Sequence, residues 1–204
     1  MALSLLTAAV LAKYVTNPIL KKMYIKQATP DITEEEMRTL ENKLSDFLKE
    51  NNLSPDASIW DVARVLNVID RGSVDNISSR ARIFESENGG DFTVVHNKRV
   101  PSNEQLFDFA HELGHKINDD PMPADRPHGY NKPKLDQLAD YTGAALLMPR
   151  EQVYNFLVDN QYDSASPHKR VALIKKLSKT YKVSETLTVR RVNEVRLLMN
   201  MISK

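Results

Sequence analysis

Apolar positions along this chain recur at helical spacing over most of its length, and one short middle stretch has strand composition instead. Residues 1–27 read as helical, with Leu3, Leu6, Val10 and Tyr14 on one face and Pro18 as a break or helix start. Thr33 followed by Glu36 is a capping-box signature, so a helix is expected from there to about Asn51. Asn51-Asn52-Leu53-Ser54-Pro55 reads as a turn, and Ile59-Trp60 through Leu66 as a short helix. Then the pattern changes. Ala81-Arg82-Ile83-Phe84 and Phe92-Thr93-Val94-Val95 have strand composition, with Gly89-Gly90 in a hairpin-like connection between them. Helical spacing returns with Leu106, Phe109, Ala110, Leu113 and Ile117, behind a second capping box at Ser102 and Gln105. Leu135, Leu138, Ala139, Leu146 and Leu147 predict a buried helix that Pro149 ends, and three more helices are expected at 151–159, 168–181 and 184–201. The result is an α+β chain, mostly helical with a small β-sheet. It is expected to divide into an N-terminal helical region (1–55), a central domain (56–150) and a C-terminal helical region (151–204).

Composition narrows the class. The 204 residues are 41% hydrophobic and 27% charged, ordinary for a soluble globular protein and unlike a long disordered chain. Cysteine is absent, which removes disulfide frameworks and Cys-based zinc sites and fits a cytoplasmic protein. The apolar run Ala2–Ala12 is too short for a membrane span of about 20 residues, and lacks the basic residues that precede a signal-peptide core. A packed amphipathic helix is the reading preferred over a signal or membrane-associated segment.

The chemistry concentrates in Phe109-Ala110-His111-Glu112-Leu113-Gly114-His115. At i and i+4, His111 and His115 project from one helical face, about 6 Å apart at their bases, so both imidazoles can bind one Zn²⁺. Glu112 is too close to His111 to join the same tetrahedron comfortably. It can instead take a proton from a water activated by the metal, the division of labour in His-Glu-x-x-His metalloproteases. Gly114 costs roughly 1 kcal/mol of helix propensity relative to Ala, a cost that makes sense if another backbone packs closely there.

Two histidines leave the metal under-coordinated. A collagenase-like continuation is excluded, because Asn118 and Pro121 stand where Gly and His would be needed. Asp136 is the candidate third ligand. Asp140, one turn further on the same face, can accept the free ring N–H of a ligand histidine and hold its tautomer. The alternative is that both aspartates are solvated charges on a helix face.

Together these segments resemble the ImmA/IrrE family of metallopeptidases, whose pattern is a strand pair, a Phe-x-x-Ala-His-Glu-Leu-Gly-His helix, and a second helix ending Leu-Leu-Met-Pro. This chain supplies Leu106–His115 and Asp136–Pro149, and the likeness covers roughly residues 57–150. The resemblance implies a zincin-like central domain, His111 and His115 as zinc ligands, Glu112 as catalytic base and Asp140 as the partner behind a ligand. It also implies a cytoplasmic endopeptidase of bacterial or mobile-element origin, whose protein substrate is a helix-turn-helix repressor. Two positions depart from the pattern. Asp136 stands where Glu is usual, one methylene shorter. Thr142-Gly143 replaces Phe-Ala, which suggests a roomier or looser pocket.

Other features remain open at this level. The proline-rich segment from Asp119 to Tyr130 reads as an irregular loop near the metal, and His128 or Tyr130 is a candidate to stabilise an oxyanion. His96 and His168 lack any partner pattern and read as surface groups. Phe92–Val95 is the candidate edge strand for a substrate backbone. From Lys169 to Lys204 there are ten Lys+Arg and two Asp+Glu, so this segment carries +8 and the rest −7. Helix–Lys182-Val183-Ser184–helix resembles a helix-turn-helix. Rival functions are therefore a non-catalytic metal-containing module that grips a repressor, and a DNA-binding regulator using Arg190 and Arg191.

Overall fold

A computed structural model describes residues 32–75, 77, 79–86, 89–120 and 132–200. The expected N-terminal helix, and His128 and Tyr130, lie outside the described residues. The chain divides into two compact units, Glu35–Pro149 and a second formed by Met1–Glu34 with Arg150–Lys204. No described helix is long and apolar enough to cross a membrane.

The Glu35–Pro149 unit opens with α1 (Glu34–Glu50), which begins directly after Thr33 and buries Met37, Leu40 and Leu44. Their spacing of three and four residues makes the inward stripe of an amphipathic helix. Next comes α2 (Ile59–Val65), capped by the Ser58 side chain, which accepts the Asp61 N–H.

Three strands follow: β1 (Val68–Val74), β2 (Ala81–Glu85) and β3 (Phe92–Asn97). The sheet order is β1-β3-β2, with β1 parallel and β2 antiparallel to β3. Strand β1 has no counterpart in the sequence reading, because polar Asp70-Arg71 and Gly72 break its alternation. The register indeed shifts between Asp70 and Ser73, and Asp70 Oδ1 accepts the Gly72 N–H at 2.7 Å where Gly72 takes φ 77°. With β1 present, Phe92–Val95 becomes the central strand. It has partners on both sides, so it cannot serve as the edge that captures a substrate.

Val68, Ile83, Val94 and His96 form the inner face of the sheet. His96 is therefore no surface group: at 1% exposure it lies edge-on to Phe109, with Nε2 3.3 Å from Asp70 Oδ1. Strand alternation places it inward, two residues after Val94. His168, by contrast, is exposed as expected.

Helix α3 (Ser102–Ile117) starts as the sequence suggests but for a different reason. Pro101 takes the capping position with φ −56°, and no side chain caps the helix. Gln105 Nε2 donates to the Val100 carbonyl instead, and Gln105 Oε1 accepts the Ser73 hydroxyl. Trp60 of α2 stacks on Phe109 at 5.2 Å between ring centroids, seating α3 on the rest of the core.

Against α3 lies α4 (Lys132–Leu147), and the two backbones touch. A Cβ on Gly114 would stand 2.5 Å from the Ala139 carbonyl oxygen. One on Gly143 would meet the Ala110 carbonyl and the His111 nitrogen at 2.9 Å. The glycines thus let each helix approach the other from its own side. At Gly143 the Thr142-Gly143 departure thus accompanies a tight contact between the two helix backbones. Thr142 itself is buried and donates to Asn118 Oδ1 at 3.0 Å.

The second unit contains α5 (Arg150–Asp159), a 3₁₀ turn (Tyr162–Ser164), α6 (Pro167–Tyr181) and α7 (Glu185–Leu198). Ser166 caps α6 ahead of Pro167, Lys182 ends it in a left-handed conformation, and Ser184 caps α7. The helix–turn–helix connection is thus real, and one side of its second helix is buried, while Glu185, Thr186, Arg190, Asn193, Arg196 and Leu197 keep some exposure. Leu187, Thr188, Val189, Arg191, Val192, Glu194, Val195 and Leu198 are all buried. Arg191 has no exposed surface, and Arg190 pairs with Glu194 at 2.8 Å. Burial thus removes Arg191 as a DNA contact, while Arg190 is partly exposed and engaged by Glu194.

Candidate metal centre

The last turns of α3 and the first turns of α4 bring three ligand-type atoms together. His111, His115 and Asp136 each offer one atom, all within 4.8 Å of one another. The imidazoles stand perpendicular, with centroids 4.6 Å apart and Nε2 atoms 3.0 Å apart. Asp136 Oδ1 is 3.6 Å from His115 Nε2. These three were singled out by the sequence, and the fold assembles them.

Each imidazole is held from behind by a carboxylate. His111 Nδ1 meets Asp140 Oδ1 at 2.8 Å, as the sequence pattern anticipated. His115 Nδ1 meets Asp120 Oδ2 at 2.6 Å, a partner the sequence reading left inside the loop. Asp120 gets there through the helix end. The Asp120 N–H donates to the His115 carbonyl and the Asp119 N–H to the Lys116 carbonyl, with Asp119 at φ 58°. This is a Schellman-type reversal, and it folds the residue after the left-handed position back onto the last turn. Lys43 of α1 clamps it, donating to the Asn118 carbonyl at 2.7 Å and pairing with Asp119 at 2.8 Å. Two aspartates directly after the last helical turn were the available signal.

The donor set fits a cation. An ionised carboxylate only accepts, so Asp140 and Asp120 place a proton on each Nδ1. Both Nε2 lone pairs then face each other at 3.0 Å, which is repulsive unless a proton or a metal ion lies between them. Tetrahedral zinc with bonds of about 2.0–2.1 Å to nitrogen would separate the two atoms by about 3.3–3.4 Å, close to what is found. Two imidazoles and a carboxylate also favour zinc over the oxygen-seeking magnesium and calcium.

Charge around the site is tuned by burial and neighbours. Burial pushes the His111 imidazole down, but the Asp140 hydrogen bond and charge, with Glu112 and Asp136, carry it net above its ordinary value. Burial raises the Glu112 carboxyl above the usual carboxylate range; His111 and His115 oppose the shift, while Asp136 and Asp108 add to it. One turn before Glu112, the buried Asp108 accepts Arg80 Nε at 3.0 Å, and Arg80 also pairs with Glu104 at 2.7 Å. That guanidinium ties the start of β2 to the motif helix.

A small sheet packed on a helix bearing paired histidines, with a second helix presenting carboxylates to them, is the frame of a metallopeptidase-type protein. The sequence profile of the M78 peptidases, described as the IrrE N-terminal-like domain, matches residues 73–193. The chain belongs to this peptidase family. No curated protein sequence matches it.

Proposed function

We propose that this protein is a zinc-dependent endopeptidase of the cytoplasm, with His111, His115 and Asp136 as metal ligands and Glu112 as the proton carrier. The facing pair of Nε2 atoms, each imidazole fixed by its own aspartate, is the observation that most directly supports the reading. A zinc ion held by His111, His115 and Asp136 would supply a Lewis acid for the scissile carbonyl and would make the attacking water more acidic. Glu112 accepts that water's proton and then delivers it to the departing amine, so the carboxylate ends as it began. Asp140 and Asp120 hold the ligand imidazoles in orientation and tautomer.

The substrate backbone is assigned to the outer edge of β2. The Arg80 carbonyl accepts the Asn97 N–H, and the Ser86 N–H donates to the Asp91 carbonyl. Antiparallel alternation then turns the N–H and C=O groups of Ala81, Ile83 and Glu85 away from β3, where an extended peptide can pair with them. The polypeptide cleaved is, by the family resemblance, a DNA-binding repressor of the helix-turn-helix type.

Metal analysis of purified protein tests the centre. Near-stoichiometric zinc is expected in the wild type, with a sharp loss in Asp136→Ala. Asp120→Ala is expected to keep the ligands but weaken affinity by about 10–100-fold, the usual cost of losing a carboxylate behind a ligand histidine. A wild-type protein that takes up no zinc even when incubated with it would sink the proposal and leave a non-catalytic binding module as the better account.

A further inference from the structure

The two units differ strongly in charge. Residues 1–34 and 150–204 hold 15 Lys+Arg against 7 Asp+Glu, giving +8, while residues 35–149 hold 13 against 20, giving −7. Within the basic unit, arginines and lysines are used differently. Arg170 donates to the carbonyls of Tyr162 and Asp163, Arg190 pairs with Glu194, Arg191 is buried, and Arg196 pairs with Asp163 at 2.5 Å. These four arginines are thus spent on the fold.

The lysines point outward. Lys169, Lys175, Lys176 and Lys179 of α6, with Lys182 just past its end, are all exposed. None of them pairs with a carboxylate among the described residues. At 100° per residue the four helical lysines fall within an arc of about 120°, and Lys169 to Lys182 spans roughly 20 Å. Leu173, Ile174, Leu177 and Ser178 occupy the opposite, buried face, and α6 contains no acidic residue. The acids of the described unit not yet named are Glu151 and Asp159 at the two ends of α5, and Glu185 at the start of α7.

Such a face suits phosphates better than a protein partner. Protein–protein interfaces are depleted in Lys and anchored by aromatic side chains and Arg. On α6 this face adds only His168, Ala172 and Thr180 to its lysines, and the neighbouring aromatic is the half-buried Phe156, its ring centroid 5.5 Å from the Lys176 ammonium. Ammonium groups are point charges that satisfy phosphates without the planar fork that carboxylate recognition favours. No exposed aromatic interleaves with them on α6, as stacking on single-stranded bases would require. On α7, Arg191 is buried and the partly exposed Arg190 and Arg196 are paired with Glu194 and Asp163, so that helix is poorly equipped to read base edges. We propose that the lysine face of α6 binds the phosphate backbone of duplex DNA without sequence preference, a role separate from the metal centre.

Fluorescence anisotropy with the full chain and labelled duplexes of about 20 bp, in two unrelated sequences, tests this across a range of salt. Equal affinities for both duplexes are expected, falling with salt at a log–log slope of about −3 to −5, since each phosphate contact contributes about −0.9. The triple variant Lys175→Gln, Lys176→Gln, Lys179→Gln should reduce the slope by about 2–3 and the low-salt affinity by about tenfold or more. Thermal unfolding should be unchanged, because all three side chains are exposed. Absence of binding at low salt, binding untouched by the triple variant, or a marked preference for one duplex would each overturn the proposal. Displacement of the DNA by poly-glutamate at equal charge would reassign the face to an acidic protein.

Discussion

Glu112→Gln is expected to lower peptide hydrolysis by about 10²–10⁴-fold, the range that a positioned acid–base group supplies. The substitution keeps the size and shape of the side chain and takes away the one property the reaction needs, a site that accepts and releases a proton. Glu112 is well placed for that task. It sits between His111 and His115 in sequence, and burial raises its carboxyl above the usual carboxylate range, the direction that suits a shuttling group. Bound zinc should be unaffected, since His111, His115 and Asp136 are intact. Cleavage is read on a co-expressed helix-turn-helix repressor or on a peptide library, beside metal content. Loss of cleavage with zinc retained is the expected pair of results. Full activity in this variant would falsify the assignment of Glu112.

Gly114→Ala is expected to destabilise the fold and loosen the metal centre together. Two effects oppose each other. Alanine favours the helix by roughly 1 kcal/mol over glycine. Its methyl, however, would lie 2.5 Å from the Ala139 carbonyl oxygen, well inside contact distance, and the obstacle is backbone rather than a flexible side-chain end. Overpacking usually costs about 1–3 kcal/mol and more where the neighbour cannot yield, so the steric effect is expected to win by about 2 kcal/mol. Relief requires α4 to move away from α3, taking Asp136 and Asp140 with it. Thermal unfolding should therefore show a lower midpoint, and a chelator competition should show weaker zinc binding. Gly143→Ala, with contacts of 2.9 Å, is expected to act in the same direction more mildly. A Gly114→Ala variant as stable as wild type would mean the two helices are not held at this distance.

Much of the candidate centre was legible without coordinates. A spacing of four residues on one helix places His111 beside His115 in any fold that keeps the helix, and the same holds for Asp136 and Asp140. What those pairs face is a different matter. That α4 lies close enough for Asp136 to approach His115 depends on Gly114 and Gly143 meeting the opposite backbone. A string of letters records a glycine in the same way whether its surroundings are empty or crowded. Hence the close backbone contact at Gly143 was not legible in the sequence.

The errors have a common origin. Capping at Ser102, the edge role of Phe92–Val95, the exposure of His96 and the availability of Arg190 and Arg191 were all inferred from neighbours in sequence. Each was decided by a neighbour in space. Pro101 took the cap, β1 took the free side of β3, strand alternation turned His96 inward, and the burial of α7 enclosed Arg191. Asp120 belongs with these cases, since only a left-handed residue at the end of α3 returns it to His115. By itself the sequence determined which groups are periodic: the helices, their apolar faces and the paired polar side chains, His111 with His115 and Asp136 with Asp140, along each one. Tertiary structure alone decided how those faces meet, because helix periodicity is set by local backbone geometry whereas the approach of two backbones depends on packing between distant residues.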